Sequence, residues 1–562
     1  MKRTQAAYVL GGAVLALGLV AGCGDEEVVK VPAESPIKVD VVATPTSLDT
    51  GAKVTVNAVV TTSSSRTLRY SWMSEGGKFS STTTDATSWL APDDPGVYSL
   101  SVVVTDGEAV GIGSATIAVA TYLPEVSPFF RGAAYCATCH AGGVGGDQYT
   151  TWSHSPHASA MAPLVAYGQG ANPNCVGCHT VGTYGLNANG TANNGGYDET
   201  AVARLEGVQC ENCHGPGSQH PTPDAGSVHI SNEAEMCGQC HNGTHHPTYD
   251  EWHTGAHAAP IEEAALRASC AKCHNGLLGA QFLDDPEAFR NPSADLTAMT
   301  PHTCSVCHDP HGNGNPGALR DAAVTDRALP NSHLVEKAGA GRLCMSCHNS
   351  RRTDNDIRTQ INNGSAHLGP HHSVQGDMIA GVNAYTKVDS TFAWSTSRHI
   401  EIQDACITCH THPHEGDPEN GIANFTGHTF RPTVEACQPC HGTIEEFDQV
   451  MAHNDYDGDG TVEGVQNEVD GLLDILKETI IAATATQEGR DALRADFEVK
   501  MGDATITTPD QRRAAYNWAF VSFDGSHGVH NATYSIQLLQ RSILFLDPGG
   551  LPRQAALMIE PE

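Results

Sequence analysis

All but one of the nineteen cysteines stand in a single repeated pentapeptide, Cys-x-x-Cys-His. The copies are CATCH (Cys136, Cys139, His140), CVGCH (Cys175, Cys178, His179), CENCH (Cys210, Cys213, His214), CGQCH (Cys237, Cys240, His241) and CAKCH (Cys270, Cys273, His274). CSVCH (Cys304, Cys307, His308), CMSCH (Cys344, Cys347, His348), CITCH (Cys406, Cys409, His410) and CQPCH (Cys437, Cys440, His441) complete the set. Two thiols three residues apart can add across the two vinyl groups of one haem, and the histidine that follows lies beneath the ring as an iron ligand. A disulfide framework gives no reason for the histidine, and a thioredoxin-like redox pair does not need it at every copy. Structural zinc would need the Cys-x-x-Cys pairs to meet two by two, and nine is odd. The pattern predicts nine haems c bound covalently.

Thirty histidines are present, nine of them in the motifs, so a second histidine for every iron is available with a surplus. Methionine is scarce in this region, with Met161, Met236, Met299, Met345, Met378 and Met451 as the candidates, which points to low-potential bis-histidine haems. Three segments repeat Trp-x-x-x-x-His ahead of a motif: Trp152 to His157, Trp252 to His257 and Trp394 to His399. An indole packed on a porphyrin, with a histidine one helical turn later, would serve the second face of an iron. Histidines on Pro- or Gly-containing turns form a second group: His220, His311, His371, His372, His414 and His428. His220, His311 and His414 closely follow a motif, too close to reach the opposite face of their own iron. Each would ligate a neighbouring haem and clamp the two together. So short a spacing between motifs leaves little room for a protein core, and the haems themselves are expected to fill it.

The remaining composition restricts partners. Acidic residues number 64 against 31 basic ones, a formal charge of −33 that phosphate backbones would repel, so nucleic-acid binding is excluded. Lys2 and Arg3 precede an apolar stretch from Ala6 to Val20 that is too short to span a bilayer comfortably, and LVAGC ends at Cys23. This is an export signal over 1–22 with a bacterial lipobox. It predicts lipidation of Cys23, anchoring without a membrane span, and an outer-membrane location on the periplasmic or cell-surface face.

Residues 23–36 read as a linker. Residues 37–121 contain no cysteine or histidine and alternate in apolar content through VDVVATPTSL, KVTVNAVV, LRYSWMS, ATSWLAP, GVYSLSVVVTDG and ATIAVA. The expectation is an all-β sandwich of seven strands with Trp72 in its core. A haem region follows over 130–453, then a helical segment over 454–562 with helices near 465–484, 487–501, 508–523 and 532–546. Between them Asp455, Asp457 and Asp459, with Gly460, Thr461 and Glu463, are spaced like the start of a calcium loop. The twelfth position is Gln466 rather than glutamate, so Glu463 or Glu468 would have to substitute.

The motifs and their surroundings resemble those of the multihaem c-type cytochromes, a group that includes a tetrahaem electron carrier of ammonia oxidisers and the pentahaem ammonia-forming nitrite reductases. YTTWSHSPHASAM, NPNCVGCHTVGTYGLN, GGYDET and GVQCENCHGPGSQH are similar to the tetrahaem carrier. AAYNWAFVSFDGSHGVHNATYSIQLLQRSI is similar to the closing helices of the reductases. The resemblance covers about 130 to 546 and implies a loop-rich, mostly helical haem assembly, with His530 as a further distal ligand and homo-oligomers formed through the C-terminal helices. YSWMSEGGKF and WLAPDDPGVYSLSVVVTDG resemble the immunoglobulin-like PKD domains. The reductases hold their catalytic haem with Cys-x-x-Cys-Lys, which does not occur here. The expected function is therefore electron transfer with redox partner proteins and extracellular acceptors, with no catalytic residue assigned. The alternative is an oxidoreductase that reduces a nitrogen or sulfur oxyanion at one open haem.

Overall fold

A computed structural model of the chain describes residues 37–121, 128–143, 146–183, 194–220, 228–259, 262–285, 299–320, 329, 331–335 and 338–559. The export signal, Cys23 and the linker up to residue 36 lie outside the described residues.

Alternating side chains build the N-terminal unit. Its strands are β1 (Lys38–Thr44), β2 (Ser47–Leu48), β3 (Lys53–Thr61), β4 (Arg69–Met73), β5 (Lys78–Phe79), β6 (Ala86–Leu90), β7 (Gly96–Thr105) and β8 (Val110–Val119). They form two four-stranded sheets, β1-β3-β6-β5 and β2-β8-β7-β4, antiparallel except for β2 beside β8. In β3 every second residue from Val54 to Val60 turns inward, and Val54 sits opposite Trp89 of β6. Val56 and Trp89 from one sheet, with Trp72, Leu100, Val102 and Ile117 from the other, make one buried cluster. Eight strands stand where the alternation predicts seven, because two-residue edge strands are too short to show a period. Trp89 is as central as Trp72, and its indole N–H donates to the Gly76 carbonyl (3.0 Å).

Two arginines join this unit to the haem region. Arg131 and Glu75 pair at 2.6 Å with both side chains 1 % exposed, and Arg131 lies over the Tyr135 ring next to the first motif. Arg204 donates to the Val97 carbonyl (2.6 Å) and covers the Tyr98 ring. Glu75→Gln would leave the Arg131 charge buried without its partner, which costs about 3–5 kcal/mol. Small-angle scattering through a urea titration should then show the β-rich unit separating from the haem region at lower urea than in the wild type.

Regular structure is sparse from residue 130 to 453. The longest helix described there, Asp354–Asn363, has ten residues, started by a capping box between Thr353 and Asp356. Buried apolar residues form only small groups, such as Phe130 with Val181 and Leu205, or Leu283 with Val306 and Leu343. These groups are too small to hold three hundred residues together, so something other than side chains must fill the interior.

The C-terminal segment folds conventionally. Helices run over Val465–Ala482, Gln487–Ala495, Phe497–Lys500, Pro509–Ser522 and Ala532–Leu546. Val469, Leu472, Leu476 and Ile480 make a fully buried stripe on the first, and Thr508 caps the fourth ahead of Pro509. Their core is not confined to residues after 453. Ile357, Ile361, Leu368, Val374 and Met378 enter the same cluster, so the helical segment grips the haem region from inside.

Candidate functional site

Helical geometry sets the local form of each motif. In the CATCH, CVGCH, CENCH, CAKCH and CITCH motifs both cysteines and the histidine fall within one short helix. Residues i, i+3 and i+4 of a helix share one face, so two sulfurs and an imidazole point the same way. In CENCH, Gln209 caps the helix and Asn212 reaches back to it, while the Asn212 amide also donates to the Thr180 carbonyl (2.9 Å).

Opposite most motif histidines stands another imidazole. Ring centres are 6.4 Å apart for His140 and His220, 6.2 Å for His214 and His311, and 6.1 Å for His241 and His157. They are 6.0 Å apart for His274 and His371, 6.3 Å for His308 and His428, and 6.1 Å for His348 and His257. His410 faces His530 at 6.0 Å and His441 faces His399 at 6.1 Å. A metal–nitrogen bond of about 2 Å on each face, plus about 1 Å from nitrogen to ring centre, gives about 6 Å. The donor set therefore fits a six-coordinate iron at eight of the motifs.

The second ring nitrogen is engaged in many of these residues. The Nδ1 atoms of His214, His308 and His399 each lie 2.6 Å from a backbone carbonyl, those of His229, Gly317 and Val529 respectively. His410 meets the Phe430 carbonyl at 2.9 Å, and His530 meets a carboxylate, Asp524 Oδ1, at 2.8 Å. An Nδ1–H committed to an oxygen leaves the Nε2 lone pair for a metal and fixes the ring plane.

Ten residues are expected on the distal side, and two of them stand elsewhere. His372 stacks on Phe523 (3.8 Å) and His414 on Phe425 (4.7 Å), and neither faces a motif histidine. Among the described residues, the ninth motif histidine, His179, has no ring facing it at the common distance. Its Nδ1 is held by the Ala160 carbonyl (2.6 Å), and His246 interacts with it only electrostatically, the His246 ring standing edge-on to His241 with centres 6.4 Å apart. His246 follows no Trp and no motif-turn pattern, which is why spacing does not single it out. The Trp-x-x-x-x-His segments also work differently from expectation. The helices containing Trp152 and Trp252 end before the histidine arrives, and each indole N–H donates to a distant carbonyl, Val208 (2.9 Å) or His302 (2.8 Å). The tryptophan pins the segment and the chain after it delivers the imidazole.

Two buried carboxylates position motif segments and carry no sequence signature. Glu211, inside CENCH, accepts from the backbone N–H groups of Arg131, Gly132 and Gly217. Its complete burial raises its pKa, against the pull of those donors. Glu251 accepts from the Thr426 N–H (2.8 Å) and the His428 N–H (2.7 Å), which sets His428 opposite His308.

The motif sulfurs connect the sites. Cys136 lies within hydrogen-bond reach of Cys210, Cys178 of Cys240, Cys237 of Cys304, Cys273 of Cys347, and Cys344 of Cys406. At longer, electrostatic range Cys213 faces Cys240, Cys307 faces Cys344, and Cys409 faces Cys437. These proximities, close for five pairs and longer for three, order all nine motifs along one path. CATCH leads to CENCH, CGQCH, CSVCH, CMSCH, CITCH and CQPCH, with CVGCH branching from CGQCH and CAKCH from CMSCH.

Comparison with known proteins agrees with this arrangement. The family described as cytochrome c554 and c-prime matches residues 135–215, and the doubled CXXCH motif family matches 298–353. The C-type polyheme cytochrome OmcC of Geobacter sulfurreducens is 26 % identical over 386 residues, covering 62 % of this chain and 46 % of its own length. OmcB of the same organism is 27 % identical over 413 residues, covering 67 % of this chain and 48 % of its own. The chain is a multihaem c-type cytochrome. It spans about half the length of these Geobacter relatives. Cytochrome c-554 of Nitrosomonas europaea is 32 % identical over 106 residues, 16 % of this chain and 39 % of that one.

Haem c is thus the cofactor of the motifs. Among the described residues of the cytochrome, no helix is long and apolar enough to cross a membrane.

Beyond the last motif, the acidic loop of the cytochrome is closed on itself by its own side chains. Asp455 accepts from the Gly458 and Gly460 N–H groups, Asp457 from Asp459 N–H, and Asp459 from Thr461 N–H. Asp455, Asp457 and Glu468 bring carboxylate oxygens together, as do Asp457, Asp459 and Glu463. Burial and the neighbouring carboxylates raise the Asp457 pKa. Gln466 points away, its amide donating to the Ser526 carbonyl (3.2 Å), and the buried Glu468 closes the loop instead by accepting from Tyr456 N–H (2.7 Å). Thr461 uses its backbone N–H on Asp459.

Proposed function

We propose that the cytochrome is an electron relay in which all nine motifs hold haem c, most of them with two histidine ligands. Haem c bound there supplies one-electron iron chemistry. At eight motifs the chain's own residues supply two facing imidazoles that would hold the iron, orient many of those rings through their Nδ1 atoms, and set the motifs beside one another. The single observation behind this reading is the continuous succession of neighbouring motif sulfurs from CATCH to CQPCH. A catalytic protein needs one accessible iron; a relay needs continuity.

The two ends of the path differ. The first motif abuts the β-rich unit through Arg131 and Tyr135, whereas Cys440 and His441 of the last are exposed. Redox partners, and extracellular acceptors with them, would exchange electrons at the CQPCH end. The LVAGC segment supports a lipid anchor on Cys23 at the outer membrane. The two facing sheets of the N-terminal unit suit a PKD- or immunoglobulin-like spacer. The carboxylates around Asp457 suit calcium, with Glu468 doing the work expected of the twelfth position. The C-terminal helices are the surface through which two copies would associate.

A second reading rests on His179, which lacks the facing ring that the other eight motif histidines have. An iron there would be open to a small oxyanion, and the cytochrome would reduce it. An EPR spectrum of the oxidised protein, with haem quantified in the same sample, separates the two readings. The relay predicts nine haems per chain and only low-spin ferric signals, with His246 completing the CVGCH iron. A high-spin signal worth about one haem, abolished with the CVGCH cysteines, would replace the relay by the enzyme.

A further inference from the structure

One cation in the haem region has no anion to balance it among the described residues. Arg351 follows the CMSCH motif in CHNSRR, and its side chain crosses to a different motif, with Nη2 3.5 Å from His274 Nε2. His274 is the motif histidine of CAKCH. The Arg351 Nε is buried and has no hydrogen-bond partner. Among the described residues no carboxylate forms an ion pair with Arg351, although acidic residues outnumber basic ones two to one in the chain. The backbone at Arg351 has a φ of +52°, a left-handed conformation that costs a non-glycine residue energy, and its N–H is held by Asn349 Oδ1 (3.1 Å). The fold therefore spends backbone strain to place a half-buried guanidinium, its Nε covered, between two haem motifs. Its charge reaches Cys273, Cys347, His274, His348 and His371, which belong to two motifs and the ring facing one of them.

We infer that the Arg351 guanidinium is the built-in counter-charge of the haem held by Cys270, Cys273, His274 and His371, pairing with a carboxylate of that cofactor and raising its reduction potential. The inference rests on the reading that this site holds a bis-histidine haem. A fixed positive charge beside an iron stabilises the state carrying one positive charge fewer, the ferrous one, and does so more strongly out of water. Position gives the effect a use. Among the described residues CAKCH joins the path through Cys273 beside Cys347, as a side branch of CMSCH. A raised potential on a side branch makes it a place where an electron rests while the main line stays free to conduct. Arg351 is thus a tuning residue, and this motif is a reservoir.

The test is a spectroelectrochemical titration of the full-length holoprotein with haem content measured throughout. Four forms are compared with wild type: Arg351→Gln, Arg351→Lys, the exposed and distant Arg66→Gln, and the double substitution Cys270→Ser with Cys273→Ser. Arg351→Gln should keep every haem and move one component to lower potential. About a tenfold fall in its ferrous-to-ferric ratio at fixed potential is expected, equal to about 59 mV for one electron. Arg351→Lys and Arg66→Gln should titrate as wild type, and the double cysteine variant should lose one haem together with that same component. If Arg351→Gln fails to accumulate with full haem, Arg351→Met serves as the uncharged form of similar reach. Unchanged potentials in an uncharged variant that retains all its haems overturn the inference and leave the haem site intact. A double cysteine variant with undiminished haem content overturns the site itself, and the inference with it.

Discussion

Replacing Cys344 and Cys347 with serine is expected to cut the cytochrome into two electronic halves. The CMSCH motif is a junction whose sulfurs neighbour three others: Cys344 is close to Cys406 and, at longer range, Cys307, and Cys347 is close to Cys273. Without a haem there, CATCH through CSVCH lose their path to CITCH and CQPCH, and CAKCH is isolated. Stopped-flow mixing with less dithionite than the haems can accept reads this directly. In the wild type, electrons should redistribute among haems at a first-order rate independent of protein concentration. In the variant, a slow phase should appear whose rate rises in proportion to protein concentration, because electrons must cross by collision between molecules. A variant that has lost one haem and still redistributes at the wild-type, concentration-independent rate would show that the sulfur contacts do not trace the path. The same replacement at Cys175 and Cys178, on a side branch, should remove a haem without creating the slow phase.

What could be read from the residues follows what local spacing controls. Each motif is complete within five residues, and one helical turn brings its three side chains together whatever surrounds it. The β-rich unit was equally accessible, since alternation over nine or ten residues in β3 and β7 decides which side faces the core. Distal histidines are a different problem, because the partner of a motif is set by tertiary packing. His311 follows CSVCH by three residues and faces His214 of CENCH; His428 lies after CITCH and faces His308. Spacing proposes such a histidine but does not choose between neighbours. His371 faces His274 while His372, one residue on, turns to stack on Phe523. His246 shows the opposite failure: it approaches His179 from a segment with no recurrent pattern. Glu211 and Glu251 were invisible because their roles are with backbone N–H groups tens of residues away, and a lone glutamate carries no record of that. The acidic loop lies between these cases. Its aspartate spacing is local and readable, whereas the replacement of position twelve by Glu468 depends on how the following helix turns.

Removing one side-chain amide should disturb two haem sites at once and unlock the C-terminal helices. Asn531 is fully buried and makes four hydrogen bonds. Its oxygen accepts from Tyr534 N–H (3.1 Å), capping the helix Ala532–Leu546, and from Ser397 N–H (2.9 Å). Its nitrogen donates to the Met378 carbonyl (3.1 Å) and to Thr396 Oγ1 (2.6 Å). Ser397 leads to His399, whose Nδ1 rests on the Val529 carbonyl, and Asn531 directly follows His530. The imidazoles facing His410 and His441 are thus hung on one loop, and Asn531 fixes that loop to both the helix and the haem region. Asn531→Ala loses a helix cap, worth about 1 kcal/mol, and strands buried backbone groups at about 1–3 kcal/mol. The combined cost of about 3 kcal/mol should lower the melting temperature of the helical signal in circular dichroism by about 5–10 °C. All haems should stay attached, since no thioether is touched, while EPR of the oxidised form should show new high-spin iron at the CITCH and CQPCH sites. His372→Ala is the control, for that ring faces Phe523 and no iron, and it should leave the spectrum unchanged. A melting loss without any high-spin signal would mean that His530 and His399 keep their irons unaided and that Asn531 serves the helix alone. High-spin iron after His372→Ala would mean that the stacked ring reaches an iron in the loaded protein, and the ligand set drawn from the imidazole pairs would have to be redrawn at that motif.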